Sequence, residues 1–448
     1  MLDTLHSFER TVNALVWGWP MIVLLLGTGV LLTVLTGFIQ FRRLPFALRE
    51  VLGKLLEPSQ GTGSVTPFQA VATALASTVG VGNIAGVATA IHIGGPGALF
   101  WLWVSGILGM CTKYAEIVTA LHYRELDETG TMRGGAMYTL KKGLGLPWLG
   151  AIFALLTALA AFGIGNMVQA NSVAASLTES FGIDPRLSAI VMIALTAIVI
   201  LGGIKRIGEF TSVLVPFMAI LYLAGGLVII LMNAGSVPAV LTTVFREAFT
   251  GSAATGGFVG STMIIALRFG VARGLFSNEA GLGSAPIVHA AAQTDHPVRQ
   301  GLYGIFEVFV DTILICTTSG LVILLTQTWT GDVTGAALAA RAFETGLPGV
   351  WGDIIVTSGI VLFAFSTIVG WSYYGETGMV YLFGARAATP YRMLWLVFIY
   401  LGATGSLQVI WDVSDTLNGL MAIPNLIAVL GSIPLLLRLQ KEFFAQQR

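Results

Sequence analysis

Two short stretches of this sequence carry residue types that an ordinary apolar helix has no use for. In ALASTVGVGNIAGVATA, residues 74–90, Gly80, Gly82 and Gly86 are interleaved with Asn83 and preceded by Ser77 and Thr78. In GVARGLFSNEAGLGS, residues 270–284, glycines alternate with Arg273, Ser277, Asn278 and Glu279. Glycine lets a helix unwind at little steric cost. An unwound turn at residues 79–82 would free carbonyl oxygens for a cation and amides for a carboxylate. The half-helix starting near Gly82 would aim its positive dipole end at that carboxylate. The competing reading is a continuous helix whose small residues serve packing.

Other polar groups sit in equally apolar surroundings. Ser366 and Thr367 are adjacent hydroxyls in FAFSTIVGW, although a lone helical hydroxyl usually bonds back to its own helix. Asn166 and Gln169 lie three apart in GIGNMVQANS, as on one helical face, and Gln169 offers both a donor and an acceptor. Trp371, Phe276 and Phe162 are candidates for cavity walls, with plain packing as the alternative. Lys113 and Glu116, also three apart, are expected to pair structurally. Glu307 and Asp311, four apart, either line an ion path or pair with Arg268 or Arg273. Titration of Glu307 or Asp311 keeps proton coupling open.

The elements that must position these groups follow from composition. Of the 448 residues, 55% are hydrophobic and only 10% charged, with mean hydropathy +0.83. Average soluble domains carry about 25% charged residues, so the apolar excess must face lipid. The net charge of zero gives a nucleic-acid partner no support. Cys111 and Cys316 lie within apolar runs and form no CxxC or zinc spacing. Nucleophile motifs, HExxH, a metal cluster among the five histidines, GxxxxGK[ST] and a channel-filter repeat are missing. No enzymatic activity and no cofactor are expected.

The first apolar run, 12–38, is too long for a cleaved leader and reads as a retained helix. Ten further spans are expected near 66–91, 97–122, 149–178, 186–203, 208–233, 257–292, 302–327, 350–383, 392–407 and 416–437. An N-terminus outside places most of the 23 Lys and Arg, among them Arg42, Arg43, Lys141, Lys142, Lys205 and Arg206, on the inside. Only Arg10, Arg186, Arg246 and Arg341 then remain outside, so the C-terminus is expected in the cytoplasm. Residues 41–56 read as an amphipathic helix on the cytoplasmic face. The interrupted spans are the first and sixth of ten core spans. They occupy matching positions in two five-helix halves of opposite orientation, the pattern of an inverted-repeat secondary transporter.

The strings GGPGALFWLWVSGILGMCTKYAEIVTALHYR (residues 94–124), TVGVGNIAGVATA, AAFGIGNMVQANS, GGIKRIG, RGLFSNEAGLGSAP and FSTIVGWSYYGE resemble the alanine or glycine:cation symporters, the sodium–alanine symporter family. Matches run from Thr11 to Asn425. The resemblance implies an all-α membrane protein of eleven helices. One extra N-terminal helix (domain 1–60, with the amphipathic segment) would precede a leucine-transporter-like five-plus-five core (61–438). The repeats would lie near 66–233 and 257–437, and 439–448 would form a cytoplasmic tail. It further implies sodium-coupled uptake of a small neutral amino acid, alanine or glycine, across the plasma membrane. Proton coupling or exchange, and more remotely a channel, are the alternatives.

Matching Gly80-x-Gly82-Asn83 to the unwound G-x-G-N of the wider fold implies site roles. The Val81 and Gly82 amides would take the substrate carboxylate and the Thr78 carbonyl its amino group. Ala76 and Val79 carbonyls with Ser366 and Thr367 would hold sodium, and Thr78 with the Asn83 oxygen a second sodium. Gln169, Asn278, Phe276 and Trp371 would complete the substrate site.

Overall fold

The computed structural model describes residues 11–13, 16–53, 61–252, 261–405 and 408–446. Arg10, Lys54, Arg448, residues 54–56 of the expected amphipathic helix and 257–260 of the expected sixth span lie outside them. Within them the chain is helical almost throughout, with one two-stranded hairpin, Glu125–Leu126 against Met132–Arg133.

An N-terminal helix, Trp19–Leu35, ends where Gly37 and Phe38 turn left-handed, with φ of 70° and 57°. A short amphipathic helix follows at Leu44–Gly53. Core span one starts sharply at Pro67 because Thr66 and Gln69 cap each other: Gln69 N–H donates to Thr66 Oγ1 and Thr66 N–H to Gln69 Oε1. It is two half-helices, Pro67–Thr78 and Gly82–Gly94, bent by 52°. Core spans two to five are Gly97–His122, Pro147–Phe181, Pro185–Ile200 and Gly203–Met232. Core span six is broken into Met263–Asn278 and Ala285–His289. Seven to ten are Pro297–Leu325, Trp351–Phe383, Ala388–Thr404 and Gln408–Gly431.

Among the described residues six helices are long and apolar enough to cross a membrane, or seven with the bent pair counted as one. Trp19–Leu35 and Pro185–Ile200 are shorter, at 17 and 16 residues, so not every expected span is a full-length rod. The chain turns at Ser432 into a last helix, Ile433–Gln446, which begins ahead of the tail expected at 439.

Close helix approach holds the bundle together. On core span six, a Cβ at Gly270 would stand 2.9 Å from Trp101 Cβ of core span two, and Gly274 presses on Ser105 one turn further. Small residues that let backbones meet are how helices associate without a hydrophobic drive between them. Large apolar side chains of core span five, such as Val213 and Ile220, are exposed instead and suit a lipid-facing surface. At one end of the bundle Arg124 ties the loops by donating to the carbonyls of Thr62, Ala290 and Ala292.

Candidate functional site

The bend in core span one has a local cause. Val79 leaves helical geometry at φ −78°, ψ 89°. The Gly80 N–H is then satisfied by Asn83 Oδ1 at 2.9 Å, so the side chain of Asn83, inside the second half-helix, reaches back to hold the open turn. Residues Gly82–Gly86 continue as a π-helix before α geometry resumes.

The break faces core span eight. Ser366 Oγ and Thr367 Oγ1 each lie 3.1 Å from the Ala76 carbonyl oxygen, and 2.8 and 2.9 Å from that of Phe363. Four uncharged oxygens thus converge, with two hydroxyl protons shared among two carbonyls. That donor set suits a small hard cation, which takes oxygen lone pairs directly. Ala76, Val79, Ser366 and Thr367 are all buried. The Phe363 carbonyl was not singled out from the sequence. Its signal is positional only, one turn before the hydroxyl pair.

A Cβ placed on Gly80 would stand 2.8 Å from Thr367 Oγ1 and 3.5 Å from Gln169 Oε1, so the glycine leaves the space between them open. Gln169 donates to the Ile164 carbonyl at 3.0 Å. Its Oε1 is buried with no hydrogen-bond partner among the described residues. Thr78 spends its hydroxyl on the Ala74 carbonyl. Val81 and Gly82 open the second half-helix, where first-turn amides lack intrahelical partners. Phe276 stands beside them, its ring 3.3 Å from where a Gly82 Cβ would be, with the Arg273 guanidinium 5.8 Å from the ring centre.

Other candidates are placed differently. Trp371 is fully buried against Gly165, donates to Glu279 Oε1 at 3.0 Å, and meets Tyr374 edge-on. Asn278 donates to Thr312 Oγ1 and accepts from the Ala280 N–H, which anchors the core-six break to core span seven. Asn166 donates to the Trp395 carbonyl of core span nine, apart from Gln169. The two side chains take different partners although they are three apart, Asn166 at the end of the π-helical stretch 161–167 and Gln169 in the α-helix that follows. Phe162 packs among Tyr391, Trp395 and Phe398 rather than at the break.

The buried charges pair otherwise than their spacing suggested. Lys113 meets Glu307 at 3.3 Å, not Glu116, and Glu307 is also held by His289, which Gln300 supports. Glu116 accepts the N–H groups of Gly281 and Gly283, with Asn425 on the same oxygen. It therefore clamps the core-six interruption, where Glu279, Gly281 and Gly283 all have positive φ. Glu279 also accepts from Ser284. Asp311 takes Asn83 Nδ2 at 2.6 Å, Ser277 Oγ at 3.0 Å and Thr312 Oγ1 at 2.9 Å, which joins core spans one, six and seven. Among the described residues no Lys, Arg or His lies within ion-pair distance of Asp311, and Arg268 and Arg273 instead line a small cavity with Asp415. Ser277 and Glu279 were marked only as polar residues among the glycines of 270–284, and His289 carried no distinguishing signal.

A cavity of about 510 Å³ runs from Glu179, Glu344 and Asp353 down to Val81 and Ala85. Glu376 lies near the opposite end of core span eight from Asp353, about 34 Å away at 1.5 Å per residue. There Arg133 bridges Glu376 and Asp127, and Arg392 takes both Glu376 oxygens. Burial opposes ionisation of Asp127, but the Arg133 guanidinium and the Thr129 and Thr131 donors hold its carboxyl below the usual carboxylate range.

A family model described as the sodium:alanine symporter family matches residues 2–448. The sodium/alanine symporter AgcS of Methanococcus maripaludis is 51% identical over 432 residues, covering 95% of this chain and 94% of its own. The putative sodium/proton-dependent alanine carrier protein YrbD of Bacillus subtilis is 37% identical over 462 residues, covering 99% and 93%. Among solved structures, a Na+-coupled sialic acid symporter in a substrate-bound outward-open state superposes with a TM-score of 0.56 at 15% identity, over 92% of this chain and 86% of that one. At that identity the likeness speaks to the fold, a leucine-transporter-like arrangement.

Proposed function

Because this chain belongs to the sodium:alanine symporter family, a family of cation-coupled amino-acid transporters in the membrane, we propose that it couples sodium to uptake of a small neutral amino acid, alanine or glycine. The observation that carries the reading is the bend in core span one, with four oxygens on one flank and, on the other, the Gln169 oxygen, which has no partner among the described residues. Sodium is held by the carbonyls of Ala76, Val79 and Phe363 with the hydroxyls of Ser366 and Thr367. Carbonyl and hydroxyl dipoles replace its hydration shell without burying a counter-charge.

The substrate carboxylate lies against the Val81 and Gly82 amides at the positive end of the second half-helix. Its ammonium goes to the Thr78 carbonyl and Gln169 Oε1, which can only accept. Phe276 bounds the side-chain recess, with Trp371 and Asn278 supporting it from core spans eight and six. Charge neutralisation couples the two ligands. A cation beside the break offsets the cluster of carbonyl ends that would otherwise repel the carboxylate, so each ligand favours the other.

Thr78 and Asn83 contribute to a second sodium site, and the observation in its favour is the neighbouring carboxylate of Asp311. An unpaired buried carboxylate needs a cation or a proton. The same observation supports proton coupling as the second reading, in keeping with the name of the YrbD relative. Lys and Arg in the loops support an N-terminus outside and a C-terminus in the cytoplasm of a plasma-membrane protein.

Radiolabelled alanine uptake into proteoliposomes tests the proposal. Accumulation is expected under an inward sodium gradient and its loss when choline replaces sodium. Accumulation that ignores sodium and follows an imposed pH gradient overturns sodium coupling in favour of the Asp311 proton reading.

A further inference from the structure

A cavity of about 580 Å³ opens between the end of the N-terminal helix and the C-terminal helix Ile433–Gln446, remote from the transport site. Three of its lining residues, Arg42, Arg43 and Lys441, are cationic, and none is acidic. Arg43 lies over the Phe444 ring at 4.2 Å, and Arg42 leans on the Gly37 carbonyl. Among the described residues no carboxylate lies within ion-pair distance of Arg43 or Lys441. The cavity is built rather than incidental. The left-handed turn at Gly37 and Phe38 swings the chain out at the helix end, and Gln440 donates to the Thr36 carbonyl at 3.0 Å, so the C-terminal helix is held across the gap.

Its surroundings say what fills it. Val34 and Phe41, on either side of the turn, are each 57% exposed, and Phe38 is 50% exposed. An apolar surface therefore runs up to the cationic mouth, as it does where hydrocarbon gives way to headgroups. A free anion would satisfy the cations but not this apolar flank; a molecule with a phosphate head and acyl chains satisfies both. Basic pockets between helices at the headgroup level bind anionic lipids in this manner. We infer that this cavity is a binding site for one anionic glycerophospholipid, with its phosphate between Arg43 and Lys441 and its chains along the Val34–Phe38 side of the N-terminal helix. The inference needs only that the chain lies in a bilayer, and is separate from the choice of transported substrate or ion.

Native mass spectrometry of the full chain, with phosphatidylglycerol and phosphatidylcholine in equal parts, reads the site directly. One retained phosphatidylglycerol is expected. The Arg43→Gln/Lys441→Gln double variant should hold it about 25-fold more weakly, at about fivefold per cation lost near a membrane surface. Arg43→Lys/Lys441→Arg keeps both charges and should keep the lipid, which separates loss of the site from loss of the fold. Equal retention of phosphatidylcholine, or unchanged phosphatidylglycerol binding by the double glutamine variant, overturns the proposal. Thermal stabilisation by inorganic phosphate alone that matches phosphatidylglycerol also overturns it, because the apolar flank then contributes nothing.

Discussion

Thr367 and Lys113 are the residues whose replacement separates function from structure most cleanly. The Thr367 hydroxyl lies between two carbonyls, at 3.1 and 2.9 Å, and close to the open space at Gly80. Thr367→Ala should raise the sodium concentration for half-maximal transport by roughly 5- to 150-fold, since losing one oxygen from a dry site costs on the order of 1–3 kcal/mol. Thermal unfolding without sodium should be little changed; unaltered sodium dependence would remove Thr367 from the ion site. Lys113 is a different kind of residue. It is completely buried and its charge answers Glu307. Lys113→Met leaves that carboxylate with His289 alone and should lower stability by about 3–5 kcal/mol, whereas Lys113→Met with Glu307→Gln should recover most of the loss. Detergent-solubilised unfolding midpoints of the single and double variants measure this directly.

At the scale of elements, the bend in core span one matters more than any one ligand, and Gly80 is its most exacting position. An added methyl at Gly80 would meet side-chain oxygens of Thr367 and Gln169 rather than backbone. Gly80→Ala is therefore expected to fold but to fill the space between the two polar flanks. Binding of sodium and alanine, read as ligand-induced thermal stabilisation, should fall together, while the unliganded midpoint stays close to that of the parent. Persistence of both stabilisations would mean that the ligands do not meet at this bend. The core-six interruption is more rigidly held, because Glu116 accepts two of its amides and Glu279 ties it to Trp371. Loss of those contacts is expected to appear first in folding.

The whole molecule is asymmetric along core span eight. One end carries the cavity that reaches Val81, and the other is closed by Glu376 between Arg133 and Arg392. Glu376→Gln removes the shared carboxylate and leaves two guanidiniums facing each other. It should open that end, so that Ser64→Cys, on the wall of the small cavity beside Arg133, reacts at least about tenfold faster with a membrane-impermeant maleimide, a shift of ~1.4 kcal/mol. An unchanged labelling rate would mean that these ion pairs do not keep the end closed. The closure should not respond to pH near neutrality through Asp127. Its carboxyl is held below its ordinary value of 3.8, so its contribution is complete above that pH. The contribution is lost only as pH falls through the lower folded value.

Much of this was legible in the sequence. Hydropathy made the chain a membrane protein, because so few charges cannot cover a soluble surface of this size. Glycines beside polar residues marked both interruptions, and the adjacent hydroxyls of Ser366 and Thr367 marked the flank they face. These are local signals, carried by residues a few positions apart. Partner choice between distant segments was not legible. Lys113 chose Glu307 over Glu116 because core span seven presses on core span two there, and spacing along one helix says nothing about which carboxylate a neighbour brings. Asn166 donates to the Trp395 carbonyl and Gln169 to that of Ile164, and their spacing of three does not say which carbonyl each finds. The Phe363 carbonyl has no side-chain signature at all. Local chemistry and periodicity determined where the backbone opens; only close packing of whole helices, set by where glycine admits contact, decided what each opening faces.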